Sequence, residues 1–99
     1  MRLTPAQRDA IRQRFSAELG PGCEVSLFGS RLDDTARGGD VDLLVKCAKP
    51  QERRVWLAAR LAATAERLLD GRKVDVLLID PDTLLMPIHH VALRDAVAL

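Results

Sequence analysis

Carboxylates interrupt two stretches of the sequence that otherwise resemble buried strands. Asp40 and Asp42 lie in the segment DVDLLVK, and Asp75 lies in the segment KVDVLLI. Side chains two residues apart on a strand leave the same face, so Asp40 and Asp42 point together, and a neighbouring strand can bring Asp75 beside them. Three carboxylates on one face repel one another, but Mg²⁺ removes that conflict because it binds carboxylate, water and phosphate oxygens. We therefore expect a site for two Mg²⁺ ions, an arrangement suited to in-line attack at phosphorus.

A Gly-Ser turn, Gly29-Ser30, directly follows the apolar segment CEVSLF. Glycine allows backbone N–H groups to approach an anion closely, and the serine hydroxyl can donate to a phosphate oxygen. Arg31 follows and is placed to neutralise phosphate charge, while Gly38-Gly39 predicts a tight turn that leads into Asp40. These residues predict a loop that binds the phosphates of a nucleotide beside the metal ions.

The later carboxylates leave an alternative open for the third acidic position. Asp75 has apolar neighbours inside a predicted strand, whereas Asp80 precedes Pro81 and is typical of a turn. Asp75 is favoured on this ground, and Asp80 is the alternative. Asp33 and Asp34, in the polar loop, are expected to be exposed charges without a role in the site.

Helix and strand signals alternate along the chain. Thr4 and Pro5 predict the start of a helix that ends before Gly20-Pro21-Gly22. The remaining predicted elements are strands over 23–28, 40–46 and 73–79 and helices over 50–69 and 83–99. The order α-β-β-α-β-α predicts an α+β two-layer fold, a small mixed sheet with helices packed on one side, in a single domain spanning residues 1–99.

Composition limits the partners and the location of the protein. The 99 residues carry 15 basic and 14 acidic side chains, a net charge of +1, which does not favour nucleic-acid binding through charge. The charged N-terminal segment does not resemble a signal peptide, and no apolar run is long enough for a membrane span, so we expect a cytoplasmic protein that does not bind membranes. Cys23 and Cys47 are expected to be free thiols.

The helix predicted over 50–69 carries a basic side formed by arginines. This side is typical of a solvated helix face, although it equally suits contact with an acidic partner or RNA. Trp56 lies beside the apolar stripe of the same helix and is expected to belong to the core. The arginines in question are Arg53, Arg54, Arg60 and Arg67.

The combination of motifs resembles the minimal nucleotidyltransferases of the DNA polymerase β-like superfamily. Their signature is a Gly-Ser turn, a loop of about ten residues, a D-x-D sequence on the next strand and a third carboxylate on a later strand. Here Gly29-Ser30 is followed by nine residues and then Asp40-Val41-Asp42, so the loop is one residue shorter than the commonest form. The resemblance extends over essentially the whole chain, including the closing segment MPIHHVALRDAVAL.

This resemblance implies an enzyme that transfers a nucleoside monophosphate from a triphosphate and releases pyrophosphate, with ATP as the expected substrate. Asp40 and Asp42 would hold the Mg²⁺ ions, and Asp75 would be the third carboxylate, which helps to activate the acceptor hydroxyl. Gly29 and Ser30, with Arg31, would bind the phosphates. The identity of the nucleotide and the oligomeric state, homo- or hetero-oligomer, are not specified by these residues.

The resemblance also implies a partner. Small members of this group are paired with helical toxins of the HEPN class, which they silence as antitoxins by adding AMP to a tyrosine. An alternative is a binding module that neutralises its partner by stoichiometric complex formation, without catalysis. A sugar transferase that uses D-x-D is disfavoured, because 99 residues cannot supply both a nucleotide-sugar domain and an acceptor site.

Overall fold

The computed structural model describes residues 3–28 and 41–99, and the elements follow the predicted order. A short additional strand follows the last helix. The elements are α1 (Pro5–Leu19), β1 (Cys23–Phe28), β2 (Val41–Cys47), α2 (Arg54–Leu68), β3 (Val74–Ile79), α3 (Pro87–Asp95) and β4 (Val97–Ala98). The predicted α+β class and the α-β-β-α-β-α order are confirmed.

The four strands form one mixed sheet in the order β3-β2-β1-β4. β1 pairs antiparallel with β2, and β2 pairs parallel with β3. The parallel pair requires a crossover, which α2 supplies across one face of the sheet. The same registers place the last residue of β1 beside the second residue of β2, which in turn lies beside the second residue of β3, at one end of the sheet.

Local sequence signals explain both ends of α1. The Thr4 hydroxyl accepts a hydrogen bond from the backbone N–H of Gln7 at 3.1 Å, and the Gln7 side chain accepts one from the backbone N–H of Thr4 at 2.9 Å. This reciprocal capping satisfies two donors that a helix N-terminus otherwise leaves unpaired. At the other end, Gly20 takes φ of 74°, a left-handed conformation that glycine adopts without steric cost.

Alternation along β2 separates two apolar clusters. Val41, Leu43 and Val45 face the larger one, which α1 and α2 cover with Ile11, Phe15, Leu61 and Ala65. Leu44 points to the opposite face and joins a smaller cluster to which α3 contributes Ala92. The two long helices thus share one face of the sheet, and the short α3 covers part of the other. Within 3–28 and 41–99, no helix is long and apolar enough to cross a membrane.

The C-terminal region corrects the helix predicted over 83–99. α3 begins only at Pro87, which occupies the first turn where its missing N–H is tolerated, and it ends at Asp95. Val97 and Ala98 then pair with β1 as a short edge strand. Guanidinium groups of α1 hold this end in place: Arg8 donates to the carbonyl of Ala98 and Arg12 donates to that of Leu99. These long-range contacts are not encoded in the local helical pattern.

The two cysteines correct the expectation of free thiols. Cys23 and Cys47 are cross-strand partners in the β1–β2 register, and their sulfurs are joined in a disulfide. The backbone N–H of Ala48 donates to the carbonyl of Gly22, which makes the cysteine pair a non-hydrogen-bonded pair of the antiparallel ladder. Such pairs bring Cα atoms closest together, and here they are 4.1 Å apart. Register, rather than sequence spacing, brings the two sulfurs together.

Candidate active site

Asp42 and Asp75 lie side by side at one end of the sheet. They are register partners on the parallel strands β2 and β3, so both side chains leave the same face. Adjacent strands are about 4.8 Å apart, which places the two carboxyl groups within reach of one ion. Asp42 is half-buried, whereas Asp75 is exposed. The structure therefore brings together two of the three predicted acidic residues.

The other predicted site residues fall in the segment 29–40, which lies outside the described residues. They are Gly29, Ser30, Arg31 and Asp40, and Asp33 and Asp34 belong to the same segment. Both flanking residues are described: Phe28 ends β1, and Val41 begins β2. The segment therefore starts and finishes at the end of the sheet that carries Asp42 and Asp75.

An apolar surface lies next to the two carboxylates on their face of the sheet. Phe28 is the β1 partner of Asp42 in the antiparallel register and is only 7% exposed. It belongs with Leu44, Ile79 and Ala92 to the smaller cluster. Asp42 thus lies between a buried aromatic ring on one strand and a second carboxylate on the other. Two carboxylates on neighbouring strands, one of them half-buried, form a position where a bound cation is favourable.

Asp80, the alternative third carboxylate, lies at the opposite end of β3 and has other partners. The residue is 5% exposed, and its carboxylate accepts hydrogen bonds from the backbone N–H groups of Gln51, at 2.8 Å, and Asp82, at 2.9 Å. Arg54 and the Thr83 hydroxyl also donate to it, both at 3.2 Å. These contacts tie the end of β3 to the start of α2. The hydrogen bond from Gln51, together with those from Asp82 and Thr83 and the charge of Arg54, lowers the pKa of Asp80 below its ordinary value despite burial.

Sequence reasoning gave no role to Arg72, which lies just before β3. Its Nη1 is buried and has no hydrogen-bond acceptor in the described part of the chain. The backbone N–H of Val41 donates to the carbonyl of Lys73, so Arg72 lies close to the point where the segment 29–40 enters β2. A buried guanidinium nitrogen is unfavourable unless an anion or a carbonyl oxygen accepts a hydrogen bond from it. Only the burial seen in the structure marks this residue, because one arginine before a strand is an ordinary sequence feature.

The donor set suits a hard divalent cation. Carboxylate oxygens are the protein ligands that Mg²⁺ prefers, and it is commonly held by one or two carboxylates together with phosphate oxygens and water. Asp42 and Asp75 supply such a pair. Among residues 3–28 and 41–99, no group of three His, Cys, Asp or Glu side chains is close enough to hold a metal ion by itself.

Comparisons with solved structures agree with this fold. Two similar solved structures are the toxin–antitoxin complex MntA-HepT and a mutant form of it. The first matches with a TM-score of 0.59 and 18% identity, covering 94% of this chain and 68% of that chain. The second matches with a TM-score of 0.55 and 20% identity, covering 88% and 66%. At these identities the likeness establishes the fold.

Sequence comparison identifies the family. No curated protein matches the chain at a significant level. The family model described as a nucleotidyltransferase domain, in contrast, matches residues 7–96, a range that includes every strand and helix from α1 to α3 apart from the first two residues of α1. Its span includes the Gly-Ser turn, the D-x-D sequence and Asp75. The chain therefore belongs to the nucleotidyltransferase domain family.

Proposed function

We propose that this nucleotidyltransferase transfers AMP from ATP, with Mg²⁺, to a tyrosine hydroxyl of a partner protein, and that it serves as the antitoxin of a HEPN-class toxin. The observation that carries the chemistry is the in-register pair Asp42 and Asp75 on one face of the sheet, within a matched nucleotidyltransferase domain. The likeness in fold to MntA, which was solved with the toxin HepT, supports the choice of partner.

The proposed metal ligands are Asp40, Asp42 and Asp75. Mg²⁺, when bound, would supply positive charge at the transferring phosphoryl group. Asp42 and Asp75 meet in the sheet register, and Asp40 precedes Asp42 by two residues, the spacing that keeps both side chains on one face if the strand conformation extends to it. We propose that two ions share these three carboxylates.

The reaction balances without a further reactant. The acceptor oxygen forms a bond to the α-phosphorus of ATP, the bond between that phosphorus and the bridging oxygen to the β-phosphate breaks, and pyrophosphate leaves. The hydroxyl proton is proposed to move to the carboxylate of Asp75, which is exposed. Gly29, Ser30 and Arg31 are proposed to bind the phosphates through backbone N–H groups, a hydroxyl and a guanidinium.

Arg72 is proposed as an additional phosphate contact. Its buried Nη1 has no acceptor among residues 3–28 and 41–99, and a phosphate oxygen would supply one at the entrance to β2. Replacement by lysine keeps the charge but removes the planar donor group, so Arg72→Lys should raise the KM for ATP by about tenfold while the fold persists, since a lost charge-assisted hydrogen bond weakens binding by about 1.5 kcal/mol or more. Initial rates across an ATP series measure this. An unchanged KM would remove Arg72 from the site.

The partner and the chemistry can be tested in one experiment. The tagged chain and its Asp42→Asn variant are expressed in the host, and the proteins that co-purify are weighed by intact-mass spectrometry. The proposal predicts a partner whose mass is increased by one or more AMP units only when the wild type is present. Peptide mapping should then place the adduct on a tyrosine.

Two other results are informative. A partner held equally by both proteins without any adduct would contradict catalysis and favour neutralisation by stoichiometric binding. An adduct of a different mass would support nucleotidyl transfer but show that the transferred nucleotide is not AMP. Circular dichroism of the Asp42→Asn variant serves as the folding control.

A further inference from the structure

The outer surface of the helical layer carries an exposed tryptophan between two arginines. Trp56 on α2 is 48% exposed, so the expectation that it belongs to the core is wrong. The Cζ atoms of Arg53 and Arg60 lie 5.0 Å and 5.3 Å from the centre of its ring, within the range of cation–π attraction. This large aromatic side chain is therefore exposed to solvent rather than buried in the core.

The backbone of Arg53 shows that this arrangement carries a conformational cost. Arg53 is the N-cap of α2 and takes φ of 55° and ψ of 49°, the left-handed region, without a side-chain capping bond. Residues with a Cβ are disfavoured there, whereas glycine is not. The sequence nevertheless has an arginine at this position, with its guanidinium beside the Trp56 ring.

A groove between α1 and α2 continues from this ring. Arg14 and Glu18 of α1 line it together with Trp56 and Arg60 of α2. The Arg60 Nε lies 3.1 Å from the Glu18 carboxylate, which fixes the guanidinium at the groove wall. Arg14 has no ion-pair or hydrogen-bond partner within 3–28 and 41–99. With Arg53 included, three arginines face one glutamate, so the surface is cationic.

We infer that the surface formed by Arg14, Arg53, Trp56 and Arg60, here called the arginine–tryptophan surface, is the docking site for an acidic surface of the partner protein. Trp and Arg are the residue types that most often dominate protein–protein binding energy. Positive charge with a preorganised ring fits a partner carrying carboxylates around an apolar position. The inference rests on the proposed function for the existence of a partner, but not on nucleotide transfer.

Other occupants fit this surface less well. A nucleic acid would meet Glu18 in the groove, and the net charge of +1 gives little general attraction for phosphates. A second copy of this chain would bring the same arginines against themselves in a two-fold contact.

The arginine–tryptophan surface and the carboxylate pair lie on opposite sides of the sheet. α1 and α2 cover the face of the sheet that Val41, Leu43 and Val45 line, whereas Asp42 and Asp75 leave the opposite face. Binding at the arginine–tryptophan surface therefore leaves the carboxylate face open. Asp42→Asn should retain the partner with unchanged affinity, which distinguishes failure of this inference from failure of the transferase proposal.

The test compares four forms of the chain: wild type, Arg53→Gly, Trp56→Ala and the control Arg94→Ala. Arg94 is an exposed arginine of α3, which lies across the sheet. Each form is used to retain proteins from a nuclease-treated host lysate. The protein held by the wild type is identified by mass, purified, and titrated calorimetrically against each form at low and high salt.

We expect Arg53→Gly and Trp56→Ala to weaken binding by about 30-fold, and Arg94→Ala to leave it unchanged. Arg53→Gly relieves the left-handed backbone, so its Tm should be equal to or higher than that of the wild type, and weaker binding cannot then be attributed to unfolding. Equal affinity of all four forms, or the absence of any protein held by the wild type, would each overturn the inference.

Discussion

At the scale of single residues, Asp42, Asp75 and Asp80 differ in what surrounds them. Asp42 and Asp75 are neighbours across a parallel pair, whereas Asp80 is enclosed by donors at the far end of β3. The first two bring carboxylates of like charge close together on neighbouring strands. The third is already satisfied by the protein. The pair Asp42 and Asp75 is suited to binding an added cation, whereas the contacts of Asp80 stabilise the fold.

Replacing Asp75 tests whether the carboxylate pair accounts for cation binding. Like charges directly opposite on neighbouring strands destabilise a sheet by about 0.2–1 kcal/mol, so Asp75→Asn should unfold at the same or a higher temperature than the wild type in the absence of metal. Millimolar Mg²⁺ should raise the Tm of the wild type and leave that of Asp75→Asn unchanged, because a ligand that binds only the folded state stabilises it. Differential scanning calorimetry with and without Mg²⁺ measures both. Equal shifts in the two proteins would exclude Asp75 as a ligand.

Asp80 predicts a pH dependence of stability. Its pKa is lower in the folded protein than in the unfolded chain, mainly because the Gln51 backbone N–H donates to the ionised form. A carboxyl group of this kind contributes stability above its unfolded pKa of about 3.9, and that contribution is lost as the pH falls through the folded value. Asp80→Asn should therefore have a lower Tm than the wild type at neutral pH, and the difference should shrink below about pH 4.

Thermal unfolding of Asp80→Asn and wild type across pH 3 to 7, roughly the window that these pKa values define, provides the measurement. Glu24→Gln is a suitable control, because Glu24 is an exposed carboxylate on β1. A difference between wild type and Asp80→Asn that is constant over the whole range would contradict the assigned role of the Asp80 contacts.

At the scale of elements, the segment 29–40 is enclosed by a covalent link. The disulfide joins the first residue of β1 to the last residue of β2, 24 positions apart, so the closed loop contains both strands and the segment between them. A loop of this length constrains the unfolded chain by about 3 kcal/mol in the loop-entropy description. Reduction should therefore lower stability without altering the pairing of the strands.

Chemical denaturation of the oxidised and reduced protein measures this effect. Reduced wild type and untreated Cys23→Ala should both lose about 3 kcal/mol, and reductant should have no further effect on Cys23→Ala. Free thiols can be counted by alkylation before unfolding. Two reactive thiols in the protein purified without reductant would contradict the disulfide.

The elements that sequence patterns predicted correctly are those whose signals are local. α1 has a cap at Thr4 and a glycine at its end, β1 alternates apolar and polar residues, and β2 and β3 are short apolar runs that each carry one aspartate. The end of the chain was mispredicted as helix because β4 depends on β1 and on arginines of α1 that lie some ninety positions earlier. The cysteine pair depends on register in the same way.

In the candidate site, too, the features that depend on local sequence signals could be predicted, and those that depend on long-range contacts could not. Asp42 and Asp75 could be paired from strand periodicity and family resemblance, because both signals concern positions within strands. The enclosure of Asp80 required the fold, since Gln51 and Arg54 reach it from a distant part of the sequence. Trp56 was misplaced because helical spacing cannot show that two arginines hold the ring at the surface.

At the scale of the whole molecule, the sheet separates two surfaces with different chemistry. One face carries the carboxylate pair beside a small apolar cluster, and the other is covered by α1 and α2, whose outer side carries the arginine–tryptophan surface. Under the two proposals, the chain would hold its partner on one side of the sheet and leave the carboxylate side open. Both sides depend on the shared core around Leu43, which is fully buried between them.

The most direct test of the account is transfer of label from ATP to the purified partner in the presence of Mg²⁺. ATP labelled at the α-phosphate and ATP labelled at the γ-phosphate are compared, with wild type, Asp42→Asn and Asp75→Asn. The account predicts that the partner acquires only the α label, and that each variant lowers the rate by about 100-fold or more while remaining folded. Label arriving from the γ-phosphate, or transfer by Asp42→Asn at the wild-type rate, would contradict it.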